Sequence, residues 1–306
     1  MSIRNTFSWL IAAALLLACT PSQSPGPSPT RPDTSILIRT QLPPAPITAA
    51  PDPTRSPAPS TAPTALPTES ATPIAPLTPP PACVDRQGRL AVFSLDSATL
   101  GRRLAFSLYT PPCYAANPSR LYPALYLLHG ANADHTQWPD LNIASNADSL
   151  IAQHSTAPFV VVMPDGDYRP GEDYAAFVLR DLIPRIEQME HIAPDRKYRA
   201  VGGLSLGGAW ALELALTHPD QFSAVGGHSP VSDRALKRLS PAAQGAVRIY
   251  LDVGRDDPLA PGVEAFAAQL ALEGFSPLYH LYPGGHDRLY WRAHTAEYLA
   301  FYSAAW

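Results

Sequence analysis

Beyond residue 88 the apolar positions fall into short blocks with regular spacing. Residues 90–95 and 104–109 alternate apolar and polar in the manner of strands around a turn at Thr99-Leu100-Gly101, which predicts an antiparallel hairpin. Residues facing each other across that turn have numbers summing to about 199. Further apolar runs at 124–128, 159–163, 199–201, 223–226, 247–252 and 278–282 predict strands, and helical patterns occupy 146–153, 173–192, 207–216, 261–273 and 289–304. Strand and helix alternating in this way predict an α/β fold, a mostly parallel central sheet with helices on both faces. Pro184, inside the second helical stretch, is expected to kink or divide it. No internal repeat is visible.

Before residue 83 the pattern stops. Of the 36 prolines, 19 lie between Thr20 and Ala82, in a segment of Pro, Ser, Thr and Ala whose one apolar cluster is Ile36-Leu37-Ile38. Such a chain has too little apolar surface to offset its ordering entropy, and it is expected to be an extended linker or stalk. Upstream, Arg4 precedes an apolar run from residue 9 to 18, too short to span a bilayer and of the length of a signal-peptide core. That run ends Leu16-Leu17-Ala18-Cys19, which resembles a bacterial lipobox, so Cys19 is expected to be the lipidated first residue after cleavage. The expected organisation is a signal peptide at 1–18, a disordered linker at 19–82 and one domain at 83–306, tethered outside the cytoplasm by its lipid. Collagen, coiled coil and a polytopic membrane protein are excluded.

Two further features refine the domain. Cys83 and Cys113 sum to 196, close to the hairpin's 199, so in an exported protein they are expected to form a disulfide at its base. The formal charge is -4 for the chain and -5 for the domain, which argues against a nucleic-acid partner.

In sheets of this kind ligands bind at the carboxyl ends of the strands, so the loops there are where chemistry is sought. One reads Gly203-Leu204-Ser205-Leu206-Gly207, the G-x-S-x-G pattern of a strand-to-helix turn that projects a serine hydroxyl, here between a predicted strand and a predicted helix. A serine needs an imidazole to take its proton, and the imidazole needs a carboxylate to hold its tautomer. Of nine histidines, only His286 lies in the loop directly after the last predicted strand, in Gly284-Gly285-His286-Asp287. His129 is better placed to shape an oxyanion loop, His228 lines a neighbouring loop, and His294 is expected on the surface of the last helix. Gly254-Arg255-Asp256-Asp257 offers the acid; spacing leaves Asp257 and Asp256 open, with Asp252 a distant third. The order Ser205, Asp257, His286 is that of an α/β-hydrolase. The oxyanion N–H groups are expected from Leu206 and Ala131.

These residues resemble the Putative esterase family of α/β-hydrolases, which includes feruloyl esterases, esterase D, enterochelin esterases and mycolyltransferases. The resemblance covers most of residues 88–303. It is carried by Tyr126-Leu127-Leu128-His129-Gly130 with Trp138, Met163-Pro164-Asp165-Gly166, Asp181-Leu182-Ile183-Pro184, Gly203-Leu204-Ser205-Leu206-Gly207-Gly208, Gly254 with Asp257, and Gly285-His286-Asp287 with Trp291. It implies Ser205 as nucleophile and His286 as base, and it favours Asp257 over Asp256 because the family's acid stands three residues after the glycine. It also implies a serine carboxylesterase without metal or organic cofactor, acting on an ester that is feruloyl- or acetyl-like and carried on a polysaccharide. About twenty residues separate the fourth and fifth parallel strands, too few for a lid domain, so the site is expected to be open. Trp138, Trp210, Trp291 and His228 are the expected substrate contacts. An acyltransferase with the same triad and a non-catalytic esterase-like binding module are the alternatives. Oligomeric state is not legible.

Overall fold

The computed structural model describes residues 83–166, 168, 173–232 and 239–306; the expected signal peptide, Cys19 and linker lie outside them. β1 (Arg89–Ser97) and β2 (Arg102–Thr110) form the hairpin, and their register, Arg89 opposite Thr110 through Ser97 opposite Arg102, keeps the predicted sum of 199. Gly101 closes the turn at φ 64°, a backbone angle that glycine adopts without a Cβ penalty. A disulfide joins Cys83 to Cys113 with their Cα atoms 5.6 Å apart.

The hairpin flanks a parallel sheet made of β3 (Ala124–Leu128), β4 (Val160–Pro164), β5 (Arg199–Leu204), β6 (Ala224–His228), β7 (Arg248–Gly254) and β8 (Leu278–Tyr282). The strand order is β1-β2-β4-β3-β5-β6-β7-β8, antiparallel from β1 to β4 and parallel thereafter. The central strands are buried on both faces, which is why they read as unbroken apolar runs and not as alternations. Parity divides them: Leu125 and Leu127 pack with α2 (Ile143–Ala152) and α7 (Arg288–Ser303), whereas Tyr126 and Leu128 pack with the helices after β4, β5 and β7. A single turn, α1 (Gln137–Asp140), which periodicity did not predict, precedes α2.

The helix expected over 173–192 is three pieces: α3 (Tyr174–Ala176), a π-helical stretch at Phe177–Leu182, and α4 (Ile183–Met189). Pro184 has no N–H to give and its ring crowds the carbonyl four residues back, so the wider turn forms just ahead of it and the proline becomes an opening residue of α4. α5 (Leu206–Thr217) is apolar and buried on nearly all sides, with Glu213 the one charged residue, so it forms the centre of one layer. α6 (Ala260–Leu272) covers β7 and β8 on the same face.

Below the carboxyl edge lies a buried polar cluster that joins three elements. Asp252 on β7 is fully buried; its Oδ1 accepts from His228 Nδ1 at 2.7 Å, and its Oδ2 accepts from the hydroxyls of Tyr290 at 2.7 Å and Tyr298 at 2.8 Å. His228 faces Asp252 across the β6–β7 register, and its Nε2 accepts from the Tyr302 hydroxyl at 2.9 Å. Burial first, and then the charge of Asp252, push the Tyr290, Tyr298 and Tyr302 hydroxyls well above their ordinary range, so all three remain donors. Gly202 and Gly226 sit side by side in β5 and β6 because the Tyr302 hydroxyl crosses over both, where any Cβ would collide with it.

Two stability outcomes follow. Asp252→Ala strands three buried donors and is expected to cost about 3–5 kcal/mol in urea unfolding, against less than about 0.5 kcal/mol for Asp256→Ala on the surface. Replacing both Cys83 and Cys113 by Ser reopens a loop of sequence separation 30 and is expected to lower stability by about 2–4 kcal/mol, read as a drop in the thermal midpoint.

Candidate active site

Ser205 stands between β5 and α5 at φ 51° and ψ -115°, a strained position for a residue with a side chain. The chain can turn that tightly only because its flanks are bare. A Cβ on Gly203 would lie 2.3 Å from the backbone of Gly207, and one on Gly207 would lie 2.2 Å from the His129 carbonyl oxygen. The turn is tied to its neighbours by the Ser205 N–H donating to the His228 carbonyl at 2.9 Å and the Val231 N–H donating to the Ser205 carbonyl at 3.1 Å. Positive φ recurs at Asn132, Tyr168 and Ser229, so the loops after β3, β4 and β6 share the strain of this rim.

The structure brings the serine, imidazole and acid together. His286 Nε2 is 3.0 Å from Ser205 Oγ, and His286 Nδ1 is 2.8 Å from Asp257 Oδ2. The other oxygen of Asp257 accepts from the Leu259 N–H at 2.8 Å, so the buried carboxylate is held from both sides. These partners assign Nδ1–H as donor to Asp257 and leave Nε2 as acceptor toward the serine hydroxyl. Asp257, not Asp256, meets the imidazole; Asp256 is exposed, while its N–H donates to the Gly284 carbonyl at 2.9 Å and ties the acid loop to the histidine loop. Asp252 belongs to the buried cluster.

The second side of the site is the loop after β3. Gly130 runs beside Ser205, with 3.5 Å between its Cβ position and the serine Cβ, and Gln137 Oε1 accepts its N–H at 2.7 Å. The His129 carbonyl accepts from the Tyr168 hydroxyl at 2.6 Å, and His129 Nδ1 lies 2.7 Å from the Gly130 carbonyl. Among the described residues, neither the Ala131 N–H nor the Leu206 N–H has a protein acceptor. Leu206 is the first residue of α5, where such N–H groups are unpaired and favour negative charge.

The aromatic residues stand elsewhere than expected. Trp138 is 1% exposed with its indole N–H donating to the Leu128 carbonyl at 3.0 Å, and His228 is fully enclosed between Asp252, Tyr298 and Tyr302. Neither faces a substrate; both fill the core, where their polar atoms are hydrogen-bonded. Trp210 is buried against Tyr168 and Tyr174, behind the loop after β3. Trp291 is buried with its edge toward the His286 ring, centroids 5.0 Å apart, and its indole N–H donates to Ser229 Oγ at 3.3 Å. It supports the imidazole instead of lining a platform. His294, expected on the surface, is half-buried and stacked on Tyr282 with centroids 4.4 Å apart. Gln137, which orients the loop after β3, left no signal in the sequence. Among the described residues the one grouping of potential metal ligands is Cys83, Asp85 and Cys113, and its sulfurs are spent in the disulfide.

The chain is similar to several known proteins. Over 149 residues the chain is 30% identical to an endo-1,4-beta-xylanase/feruloyl esterase of Xylanibacter ruminicola, covering 44% of this chain and 20% of that protein. Over 154 residues it is 27% identical to an esterase of Mycobacterium tuberculosis, 46% of this chain and 32% of that one. The chain thus spans only a fraction of the length of these relatives. A ferulic acid esterase structure superposes with TM-score 0.67 at 25% identity, covering 72% of this chain and all of its own. The S-formylglutathione hydrolase of Staphylococcus aureus gives 0.60 at 18% identity, with 71% and 99% covered, and shares the fold. The sequence profile of the family described as Putative esterase matches residues 97–302, about two thirds of the chain, from the hairpin turn into the last turn of α7, so this protein belongs to that family and has the α/β-hydrolase fold.

Proposed function

We propose that the protein is a serine carboxylesterase, held outside the cytoplasm by a lipid on Cys19, that hydrolyses acyl esters borne on a polysaccharide. The observation that carries the mechanism is the continuous hydrogen-bonded path from Asp257 through His286 to Ser205, at 2.8 and 3.0 Å. His286 Nε2 takes the hydroxyl proton as Ser205 Oγ attacks the ester carbonyl, and Asp257 steadies the imidazolium that forms. The Leu206 and Ala131 N–H groups receive the oxyanion. As the tetrahedral intermediate collapses, His286 returns the proton to the departing alcohol oxygen, leaving an acyl-serine. Water, deprotonated by the same imidazole, then attacks the acyl-enzyme; the ester bond to Ser205 Oγ breaks as His286 returns the proton to that oxygen, and the carboxylic acid is released.

A feruloyl acyl group is the reading favoured by the names of similar proteins, among them a xylanase/feruloyl esterase and a ferulic acid esterase, with an acetyl group as the alternative. Residues 229–247 alone separate β6 from β7, which leaves little chain for a cap over the site and suits an ester on a bulky polymer. The tether follows from the pattern around Cys19 and the proline-rich stretch after it, which suit an enzyme whose substrate is too large to import.

Ser205→Ala and Asp257→Ala are expected to remove about three or more orders of magnitude of turnover on a nitrophenyl acyl ester, while Asp256→Ala stays within about twofold of wild type. Full turnover in Ser205→Ala, or loss confined to Asp256→Ala, refutes the assignment. With methyl ferulate, acetylated xylan and S-formylglutathione offered side by side, activity restricted to the last contradicts the polymer reading. Cys19→Ser is expected to move the protein from the membrane fraction to the soluble extracytoplasmic fraction; an unchanged distribution removes the lipid anchor.

A further inference from the structure

The rim that carries Ser205 continues past β4 to the hairpin, where a cavity of about 490 Å³ lies between β1, β2 and the helix after β4. Register places it. β2 runs antiparallel to β4 with Phe106 opposite Pro164, so residues 102–105 of β2, their partners in β1 and the turn all project beyond the carboxyl edge of the parallel sheet. β2 and β1 are three and four strands from β5 in the sheet, about 14 and 19 Å at roughly 4.8 Å per strand. The strand side of the cavity, Ser94 to Asp96 and Arg103, therefore lies at the same carboxyl edge as the serine. The second large cavity, about 460 Å³ beside Arg248 and Leu278, lies at the opposite, amino-terminal ends of β7 and β8.

Its lining has a definite chemical character. Three guanidinium groups, from Arg103, Arg180 and Arg185, face two carboxylates, from Asp96 and Asp181, giving a local excess of positive charge on a domain whose formal charge is -5. Arg103 is engaged, donating to Ser94 Oγ at 2.8 Å and lying 3.8 Å from Asp96. Asp181 accepts from the Ser97 hydroxyl at 2.5 Å and the Thr99 N–H at 3.0 Å. Burial alone raises its carboxyl, but these bonds outweigh burial and hold it below the usual range, so it stays a charged acceptor. Arg180 and Arg185 are exposed, and among the described residues neither has a carboxylate within ion-pair distance. The π-helical stretch ahead of Pro184 sets Arg180 and Asp181 in the cavity wall.

The exposed guanidinium forks of Arg180 and Arg185 match a carboxylate, whereas the neighbouring acids disfavour a dianionic phosphate and, with Ser94 and Gln188, suit sugar hydroxyls. We propose that this cavity is a subsite for a uronic acid unit of the polysaccharide whose ester is presented to Ser205. The proposal rests on the polymer reading of the substrate, yet its readout is binding and does not require cleavage.

The test is calorimetric titration of the full chain with an ester-free xylo-oligosaccharide carrying one glucuronic acid, beside the same oligosaccharide without it. The acidic ligand is expected to bind at least about tenfold more tightly, and Arg180→Ala with Arg185→Ala is expected to abolish that preference while nitrophenyl ester hydrolysis stays within about twofold. Ser205→Ala is expected to keep the preference, which separates this proposal from the catalytic one. Equal affinity for the two ligands, a preference that survives the double arginine variant, or equally effective competition by inorganic phosphate overturns it.

Discussion

A carboxylate sealed inside the protein holds the working edge of the sheet together. Asp252 receives hydrogen bonds from His228 on β6 and from Tyr290 and Tyr298 on α7, so two strands and the last helix meet on one side chain. A buried carboxylate is costly unless every lone pair finds a donor, so these partners cannot shift independently. Tyr290 and Trp291 open α7 directly after the His286 loop, and the Tyr290 ring packs against Gly284. The imidazole is thus placed by a helix whose first turn is bolted to the sheet one layer below it. Ser205 is tied to the same cluster through its N–H on the His228 carbonyl.

Most of the architecture was legible because it rests on two periodicities. The strands at 124–128 and 278–282 appear at their predicted bounds, and the hairpin register follows from one turn position. What the pattern missed has local causes. α1 is four residues long, too short to show a helical period. The stretch around Phe177–Leu182 reads as ordinary helix, because nothing in hydrophobic spacing distinguishes four residues per turn from a little more, although Pro184 marked the place.

The site divided along a different line. Ser205, His286 and Asp257 sit in loops at strand ends, where polar residues have few structural reasons to be; chain order and the family resemblance picked them out as candidates, and the fold brings them within hydrogen-bond distance. Side chains that serve packing gave the same signal as side chains that serve binding. Trp138 and His228 lie near the site in sequence, yet each points inward, because strand alternation and the direction of α1 decide which face a residue takes. Asp252 drew attention as a candidate acid, and its real partners, tyrosines 38 and 46 residues further on, had no sequence pattern that linked them to it.

The bridge between Cys83 and Cys113 also has a mechanical meaning. β1 is the outermost strand, bonded along one side only, and a force entering at residue 83 would by itself unzip it from Arg89 onward. The covalent link diverts that load past the hairpin into residue 113, so traction on the amino end is borne by sulfur and not by the ladder. Traction entering at residue 83 would in this way leave the sheet, and the pocket beside the hairpin, in shape.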